Sequence, residues 1–264
     1  MTFTALIPVK GDSSRLPVKN QLPFGDANLL SHKIRQLKKV RQIDQIVVSS
    51  ESQEMLAIAK SEGAIPMLRP LSYANETLPI SEFVSYLGDV LEGDHIIWAC
   101  VTSPLVDDRL YERAIREYLQ KMKEGYDSLV TVCKFQHYLM NEKGPMNFSR
   151  GRHHPNSQNL PRLYLFTNGI QITPREKYKE WGDRIGENPY LMEVTKKEAI
   201  DIDDIYDYAQ ALVMMNMPEK LNIPEEAKRL NQLLGGGYNE NYQITLRRYD
   251  SAGIPFPLIV GRAA

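Results

Sequence analysis

The chain has 264 residues, of which 42% are hydrophobic and 25% are charged, and this composition is typical of a soluble globular protein. Its formal net charge of −1 provides no broad positive field, so we expect neither nucleic acid nor an anionic membrane as a partner. No signal peptide is recognisable, no apolar run approaches the roughly 20 residues of a membrane span, and the two cysteines suit reduced thiols. A cytoplasmic location is therefore expected.

A short apolar run at residues 3–7 predicts a buried first strand. Further apolar runs predict strands at 43–49, 64–68, 95–101 and 128–133, and helical spacing predicts helices at 29–40, 53–62, 79–91 and 110–123. The basic residues of the first helix, Lys33 among them, are expected on its solvated face. Strands that alternate with helices predict a three-layer α/β fold, in which helices cover both faces of a mainly parallel, Rossmann-like nucleotide-binding sheet.

Regular patterning stops between residues 135 and 163, where glycines, prolines and a histidine pair interrupt the chain. An excursion of this length inside a domain is usually functional, mobile or part of an interface. Strands are predicted again at 163–166 and 169–173, then a strand-like stretch at 199–202 and a helix at 205–217. The expected organisation is one domain at 1–217, with an inserted arm at 135–163, followed by a tail at 218–264.

The turn after the first strand, at residues 7–20, is rich in small residues and cations. Lys10, Arg15 and Lys19 stand against a single acid, Asp12, and this balance suits the oxygens of a polyphosphate. The segment has neither the G-x-x-x-x-G-K-[ST] pattern of a Walker A loop nor the G-x-G-x-x-G pattern of a dinucleotide site. A solvated surface turn is the alternative interpretation.

Two aspartates, Asp201 and Asp203, form a second candidate feature. On a strand their side chains would share one face, with Cα atoms about 7 Å apart, and such a pair suits a divalent cation. An ordinary surface position is the alternative, and the acids that follow, Asp204 and Asp207, could cap the next helix. We expect the cationic turn and this acidic pair to meet across one cleft, because ligands of such sheets bind at the carboxyl ends of the strands.

The sequence IPVKGDSSRLPVKN at 7–20 resembles the signature I-P-A-R-G-G-S-K-R-L-P-x-K-N of the sugar-activating cytidylyltransferases. These are the CMP-sialic acid (acylneuraminate) synthetases and the related CMP-KDO synthetases. Later blocks are similar to that family's R-P-x-x-L-A-x-D, Q-P-T-S-P-L, Q-x-L-P with N-G, and I-D-I-D-T-x-x-D, and they fall at 69–76, 100–105, 158–161 with 168–172, and 200–207. Five moderately specific blocks in the family's order are an improbable coincidence.

The resemblance implies an enzyme that joins CMP from CTP to the anomeric hydroxyl of a 2-keto-3-deoxy sugar acid and releases pyrophosphate, with Mg²⁺ as cofactor. It implies catalytic roles for Arg15, Lys19 and Asp203, and metal binding by Asp201 and Asp203. The nucleotide-binding residues that it implies are Lys10, Gly11, Ser13, Arg15, Lys19, Asn20, Arg69, Glu76 and Thr102. The acceptor-binding residues are Cys100, Ser103, Gln158 and Asn168. Family members commonly dimerise through an arm from mid-chain, so a homodimer built on 135–163 is expected.

Several positions depart from the family pattern. Lys10 replaces an arginine and keeps its charge without the bidentate fork, while Ser14 stands where many members have a lysine. Glu76 replaces an aspartate, and Cys100 replaces a glutamine whose pair of hydrogen bonds a thiol cannot make. The departures at Ser14 and Cys100 leave open a non-catalytic protein that binds a nucleotide or a sugar acid on the same fold. A metal-dependent glycosyltransferase, which also has a nucleotide-binding α/β half and a D-x-D, is the other alternative.

Overall fold

The computed structural model describes residues 1–11, 13, 15–75, 77–216, 245–249 and 255–259. The chain divides into two compact units, Met1–Met215 and Asn216–Ala264. In the second unit the strand Thr245–Tyr249 pairs antiparallel with Pro255–Ile259. Most of the predicted tail at 218–264 lies outside the described residues.

One sheet of seven strands organises the first unit. Its strands are β1 (Phe3–Pro8), β2 (Gln45–Ser50), β3 (Ile65–Leu68), β4 (His95–Ala99), β5 (Ser128–Phe135), β6 (Leu163–Pro174) and β7 (Pro189–Val194). Their order is β7-β5-β6-β4-β1-β2-β3. The β1–β2, β1–β4, β2–β3 and β5–β7 pairs are parallel, whereas β6 runs antiparallel to both β4 and β5. The central strand β1 is buried on both faces, as its unbroken apolar run requires.

Within the described residues, six helices accompany the sheet: α1 (Leu29–Leu37), α2 (Gln53–Ser61), α3 (Ile80–Val90), α4 (Asp108–Met122), α5 (Arg175–Trp181) and α6 (Ile205–Met215). Side chains of α1, α2 and α4 pack in one core cluster, and those of α3 and α5 pack in another. Ala5 and Ile7 belong to the first cluster and Leu6 to the second, as the alternation of side chains along β1 dictates. The predicted mainly parallel sheet with helices on both faces is therefore confirmed.

The predicted arm at 135–163 extends from the ribbon of β5 and β6, where Leu163 pairs with Phe135. Beyond the ribbon it contains one two-residue strand pair, Met140–Asn141 with Gly144–Pro145, and two single 3₁₀ turns, Gly151–His153 and Ser157–Asn159. Among the helices in the described part of the chain, none combines the length and the apolar character that crossing a membrane requires.

The structure corrects two expectations for the second half of the chain and adds two elements. The strands expected at 163–166 and 169–173 form the single strand β6, which has a bulge between Phe166 and Gln171. Residues 199–202 do not form the expected strand: Ala199 lies in a turn, and 200–202 have no regular secondary structure. Helix α5 and strand β7 were not predicted, because α5 is short and β7 has Met192 as its one fully buried side chain.

Candidate active site

A cleft of about 500 Å³ opens where β1 and β4 end and where β6 passes β4 in the opposite direction. Its walls come from the turn after β1, the segments after β3 and β4, helix α3, the bulge of β6 and the acidic segment before α6. The sequence-predicted residues that line it are Lys10, Arg15, Lys19, Arg69, Cys100, Thr102, Asn168, Asp201 and Asp203.

The turn after β1 is shaped by hydrogen bonds within itself. Asn20 Nδ2 donates to the carbonyl oxygen of Lys10 at 2.8 Å, and the amide of Leu16 donates to Ser13 Oγ at 3.4 Å. Val18 adopts a φ of 50°, a left-handed conformation that is costly for a β-branched residue, directly before the 3₁₀ turn Lys19–Gln21. Backbone strain of this kind is concentrated at functional sites. Because Asn20 bonds to Lys10 and does not line the cleft, its role is to support the turn.

The ends of β1 and β2 are tied together beneath this turn. Arg69 is only 4% exposed, and its Nη2 donates to the carbonyl oxygens of Val9 (3.0 Å) and Ser49 (2.6 Å). Burial lowers the pKa of this guanidinium, whose Cζ lies 4.5 Å from the ring centroid of Phe83. The amide of Gly11 donates to Glu51 Oε1 at 2.7 Å. Arg69 thus braces two strand ends at the floor of the cleft.

Gly11 is required by close packing. A Cβ at this position would lie 2.7 Å from Cβ of Ser52, the N-cap residue of α2, and real contacts of that kind are essentially never so short. The predicted phosphate contact through the Gly11 amide stays a prediction, since in this structure that donor is already bonded to Glu51.

The acidic segment at 200–203 is held in the cleft from two sides. The amide of Ile202 donates to the carbonyl oxygen of Thr102 at 2.8 Å, and Lys19 Nζ donates to the carbonyl oxygen of Ile202 at 2.9 Å. Asp207 Oδ2 accepts the amides of Asp203 (2.9 Å) and Asp204 (3.1 Å), so Asp207 stabilises the start of α6. These contacts, rather than strand pairing, fix the acidic pair.

Asp201 and Asp203 have different surroundings. Asn168 Nδ2 donates to Asp201 Oδ2 at 2.6 Å, while Asp201 Oδ1 is buried and makes no hydrogen bond to a described residue. Asp203 is more open: its Oδ2 lies 2.8 Å from Arg15 Nη1, and its Oδ1 lies 3.7 Å from Lys19 Nζ. The cationic turn and the acidic pair therefore meet directly across the cleft, as expected from the sequence.

Asn168 reaches Asp201 because of the bulge in β6. Thr167 Oγ1 donates to Thr131 Oγ1 at 2.7 Å, and the amide of Ile170 donates to the same oxygen at 2.9 Å. A Cβ on Gly169 would lie 3.1 Å from both Thr131 Oγ1 and Val106 Cγ2, so only a very small residue fits between them. The bulge is pinned to β5 and turns Asn168 toward the acidic segment.

Lys33 is the exception to the expected solvated basic face of the first helix: it is 0% exposed, whereas Arg35, Lys38, Lys39 and Arg41 are exposed as expected. Its Nζ donates to the carbonyl oxygens of Ser103 (2.9 Å) and Val106 (3.1 Å) and lies 5.2 Å from the ring centroid of Tyr111. Burial lowers its pKa to about 7. Lys33 therefore holds the segment after β4 from beneath, and that segment in turn holds Ile202.

Cys100 lines the cleft with a partly exposed side chain. Burial of its sulfur, together with the nearby charge of Asp201, raises the pKa of the thiol to about 11. The neutral thiol is therefore the dominant form at neutral pH, and Cys100 is a poor nucleophile.

Five predicted site residues in the described part of the chain do not line the cleft: Gly11, Ser13, Asn20, Ser103 and Gln158. Ser103 is 2% exposed and contributes its carbonyl oxygen to Lys33. Gln158 lies exposed in the 3₁₀ turn Ser157–Asn159 of the arm. Glu76 lies outside the described residues. Ser13 does not line the cleft but accepts the Leu16 amide within the turn.

Sequence analysis did not assign eight of the cleft-lining residues to the site, and Trp98 and Arg184 are two of them. Trp98 was included in an apolar strand with no further role, and Arg184 follows a helix that the sequence did not reveal. The guanidinium Cζ of Arg184 lies 4.8 Å from the ring centroid of Trp98. An arginine among glycines before an apolar run gives no signal of a partner on another strand.

Comparison with known proteins agrees with the motifs. The sequence model described as cytidylyltransferase matches residues 4–150, more than half of the chain. A pseudaminic acid cytidylyltransferase of Campylobacter jejuni is 22% identical over 230 residues, covering 82% of this chain and 98% of that protein. An N-acylneuraminate cytidylyltransferase of Escherichia coli is 24% identical over 226 residues, covering 83% of this chain and 53% of that protein.

Solved structures show the same fold. A CMP:2-keto-3-deoxy-manno-octonic acid synthetase complexed with CTP superposes with a TM-score of 0.61 at 15% identity, covering 81% of this chain and 98% of that one. A cytidylyltransferase of Leptospira borgpetersenii superposes with a TM-score of 0.53 at 17% identity, covering 90% and 98%. The family expected from the five sequence blocks is confirmed.

Proposed function

This chain belongs to the cytidylyltransferase family, and from that premise we propose that it transfers CMP from CTP to the anomeric hydroxyl of a 2-keto-3-deoxy sugar acid. Pyrophosphate is the second product. Relatives named for pseudaminic acid and N-acylneuraminate support an acidic nine-carbon sugar as the acceptor. The family match favours this reaction over the glycosyltransferase alternative.

The triphosphate of CTP would lie over the turn after β1. Lys10, Arg15 and Lys19 all line the cleft, and together they offset much of the negative charge of a triphosphate. Tyr73 and Phe83 form an apolar wall above Arg69 and offer flat surfaces for a pyrimidine base. The triphosphate would then lie next to the acidic segment, because Arg15 and Lys19 contact Asp203.

Asp201 and Asp203 are the residues that would hold Mg²⁺. Within the described ranges, no three His, Cys, Asp or Glu side chains come together as a metal-ligating group. This donor set still fits Mg²⁺, which is commonly held by one or two carboxylates together with substrate phosphates. The buried Asp201 Oδ1, which makes no hydrogen bond to a described residue, is an acceptor that a cation would satisfy. When bound, Mg²⁺ would neutralise phosphate charge and lower the pKa of a coordinated hydroxyl.

The protein's own contribution is mainly positioning and charge. Arg15 and Lys19 would stabilise the charge that develops on the departing pyrophosphate, and Asn168 would keep Asp201 oriented. Asp203 is our candidate to accept the proton of the attacking hydroxyl. Arg15 pairs with Asp203 in this structure. CTP would bind Arg15 and Mg²⁺ would bind Asp203, so the binding of either ligand would release the partner that the other needs. We therefore expect CTP and Mg²⁺ to bind cooperatively.

One observation carries the proposal: Arg15 and Lys19 lie within 2.8 Å and 3.7 Å of Asp203, so cations and acids share one cleft. The test is pyrophosphate release with each of the four nucleoside triphosphates and Mg²⁺. The acceptors are N-acetylneuraminic acid, pseudaminic acid and 2-keto-3-deoxy-manno-octonic acid. Release that requires both CTP and one of these acids would support the proposal. Binding of CTP without release for any acid would favour the non-catalytic alternative.

We also propose that the protein is a homodimer joined through the arm and its supporting ribbon. The supporting observation is a group of large apolar side chains exposed there: Tyr138, Met140, Met146, Leu165 (51%) and Phe166 (40%). Such groups mark interaction surfaces. Light scattering should give twice the chain mass, and Phe166→Glu should halve it. Leu68→Glu, at an exposed site on the edge strand β3, is the control that should leave the mass unchanged. A monomeric wild type would contradict the proposal.

A further inference from the structure

Arg184 is a cleft cation whose charge is not neutralised by an acid. It is half-buried, it lines the cleft, and no carboxylate among the described residues forms an ion pair with it. A partly desolvated guanidinium without a counter-charge is unfavourable. In a ligand cleft, this arrangement favours an anionic group on the ligand.

The side chain of Arg184 is held in one orientation by two neighbours. Its Nε donates to Gln171 Oε1 at 3.2 Å, and one face of the guanidinium stacks on Trp98 at 4.8 Å. Gln171 is itself 0% exposed, and its Nε2 donates to the carbonyl oxygen of Thr167 at 3.1 Å. The two terminal nitrogens of Arg184 make no hydrogen bond to a described residue. They form the fork that binds a carboxylate in a bidentate manner.

Arg184 has different contact partners from the cations of the turn. Arg15 and Lys19 gather at Asp203, in front of the turn after β1. Arg184 contacts Trp98 on β4 and Gln171 on β6, and β6 is the strand that also carries Asn168. The contacts of Arg184 are therefore distinct from those of the cations that we assign to the triphosphate, although all three side chains line the same cleft.

We propose that Arg184 binds the carboxylate of the acceptor sugar acid and so selects acidic over neutral sugars. This assignment rests on the proposed function and deepens it. A planar carboxylate uses both terminal nitrogens, whereas a hydroxyl or an amide in its place leaves the charge uncompensated. Trp98 and Gln171 act on the acceptor through Arg184 and are positioning residues.

The test measures KM for each substrate separately in Arg184→Gln and Arg184→Lys. The acceptor used is the sugar acid for which wild type has the lowest KM. Arg184→Gln should raise KM for this acid about 10- to 100-fold, the effect expected from losing a hydrogen bond to a charged group. KM for CTP should change by less than about twofold. Arg184→Lys keeps the charge without the bidentate geometry, so its KM for the acid should lie between those of wild type and Arg184→Gln. Arg116→Gln, at an exposed arginine of α4 that lies outside both the arm and the cleft lining, is the matched control and should behave as wild type.

Substrate analogues sharpen the test. Wild type should prefer the acid over its C1 amide by about 10- to 100-fold, and Arg184→Gln should lose that preference. A variant that retains the full preference, or whose KM for CTP rises as much as that for the acid, overturns the assignment. Calorimetric titration of each acid into wild type and Arg184→Gln decides the matter without catalysis: equal affinities also overturn it. Absence of pyrophosphate release by wild type, by contrast, overturns the proposed function.

Discussion

Two segments hold Ile202 between them, and they do so by different means. On one side Lys19, from the turn after β1, donates its ammonium to the carbonyl oxygen of Ile202. On the other side the amide of Ile202 donates to Thr102, in the segment after β4. The first contact uses a charged side chain that also faces the cleft, whereas the second uses backbone only.

The support beneath these two segments differs in the same way. Lys19 is 11% exposed and lies beside Asp203, so its charge is available to a ligand. Lys33 is fully buried under the segment after β4, and its donors are used on the carbonyl oxygens of Ser103 and Val106. One lysine serves the ligand and the other serves the fold. Substitutions in the first segment should therefore affect activity, and those beneath the second should affect stability.

Asp201→Asn should give the largest effect, because the acidic segment is where the two supports converge. We expect turnover to fall about 10³-fold, since the amide removes the charge that would hold the cation. Pyrophosphate release measures the loss. Thermal unfolding should change little, because Asp201 Oδ1 makes no hydrogen bond to a described residue. Near-normal turnover in this variant would remove Asp201 from the metal site.

Lys33→Met tests the buried support through the pH dependence of stability. Burial lowers the pKa of Lys33 to about 7, while in the unfolded chain it titrates near 10.5. Between these values the unfolded state binds more protons, so wild-type stability should rise with pH. Relative to Lys33→Met, the free energy of unfolding should increase by on the order of 3 kcal/mol from pH 7 to pH 10.

Urea unfolding at several pH values would measure this difference. A pH-independent difference between the two proteins would mean that Lys33 is charged in the fold. Lys38→Met, at a surface lysine of the same α1 segment, is the control and should show no comparable trend.

Lys19→Ala tests the exposed support. The loss of one charge-assisted contact should lower kcat/KM for CTP about 10- to 100-fold while KM for the acceptor stays near its wild-type value. Steady-state kinetics with each substrate varied in turn would measure both constants. A rise confined to the KM of the acceptor would show that Lys19 contacts the acceptor and not CTP.

The last prediction concerns the chemical reactivity of the Cys100 thiol, where we expect the smallest effect. Since the pKa of its thiol is raised to about 11, alkylation by iodoacetamide should be slow at pH 8 and should quicken about tenfold per pH unit up to that value. Mass spectrometry of the modified peptide would measure the rate, with Cys100→Ser as the unreactive control. Rapid modification at pH 7 would show that the thiol is not desolvated.

The sequence predicted those parts of the molecule whose signals are local. The apolar run of β1 and the helical spacing of α1–α4 placed the sheet and its covering layers, and the motif blocks identified the cationic turn and the acidic pair. The burial of Lys33 was not predictable, because nothing in its own helix shows that carbonyl groups from residues 103 and 106 would meet it. The strand expected at 199–202 failed because Thr102 and Lys19, distant in sequence, determine that backbone.

The central claim is that the turn after β1 and the Asp201–Asp203 pair act on the same triphosphate. Crystals grown with CTP and Mn²⁺, examined by anomalous diffraction, test it most directly. We predict a single strong peak bonded to the carboxylates of Asp201 and Asp203 and to a phosphate oxygen, with Arg15 and Lys19 on the remaining phosphates. A triphosphate bound away from the turn, or a metal with no bond to either aspartate, would contradict the account.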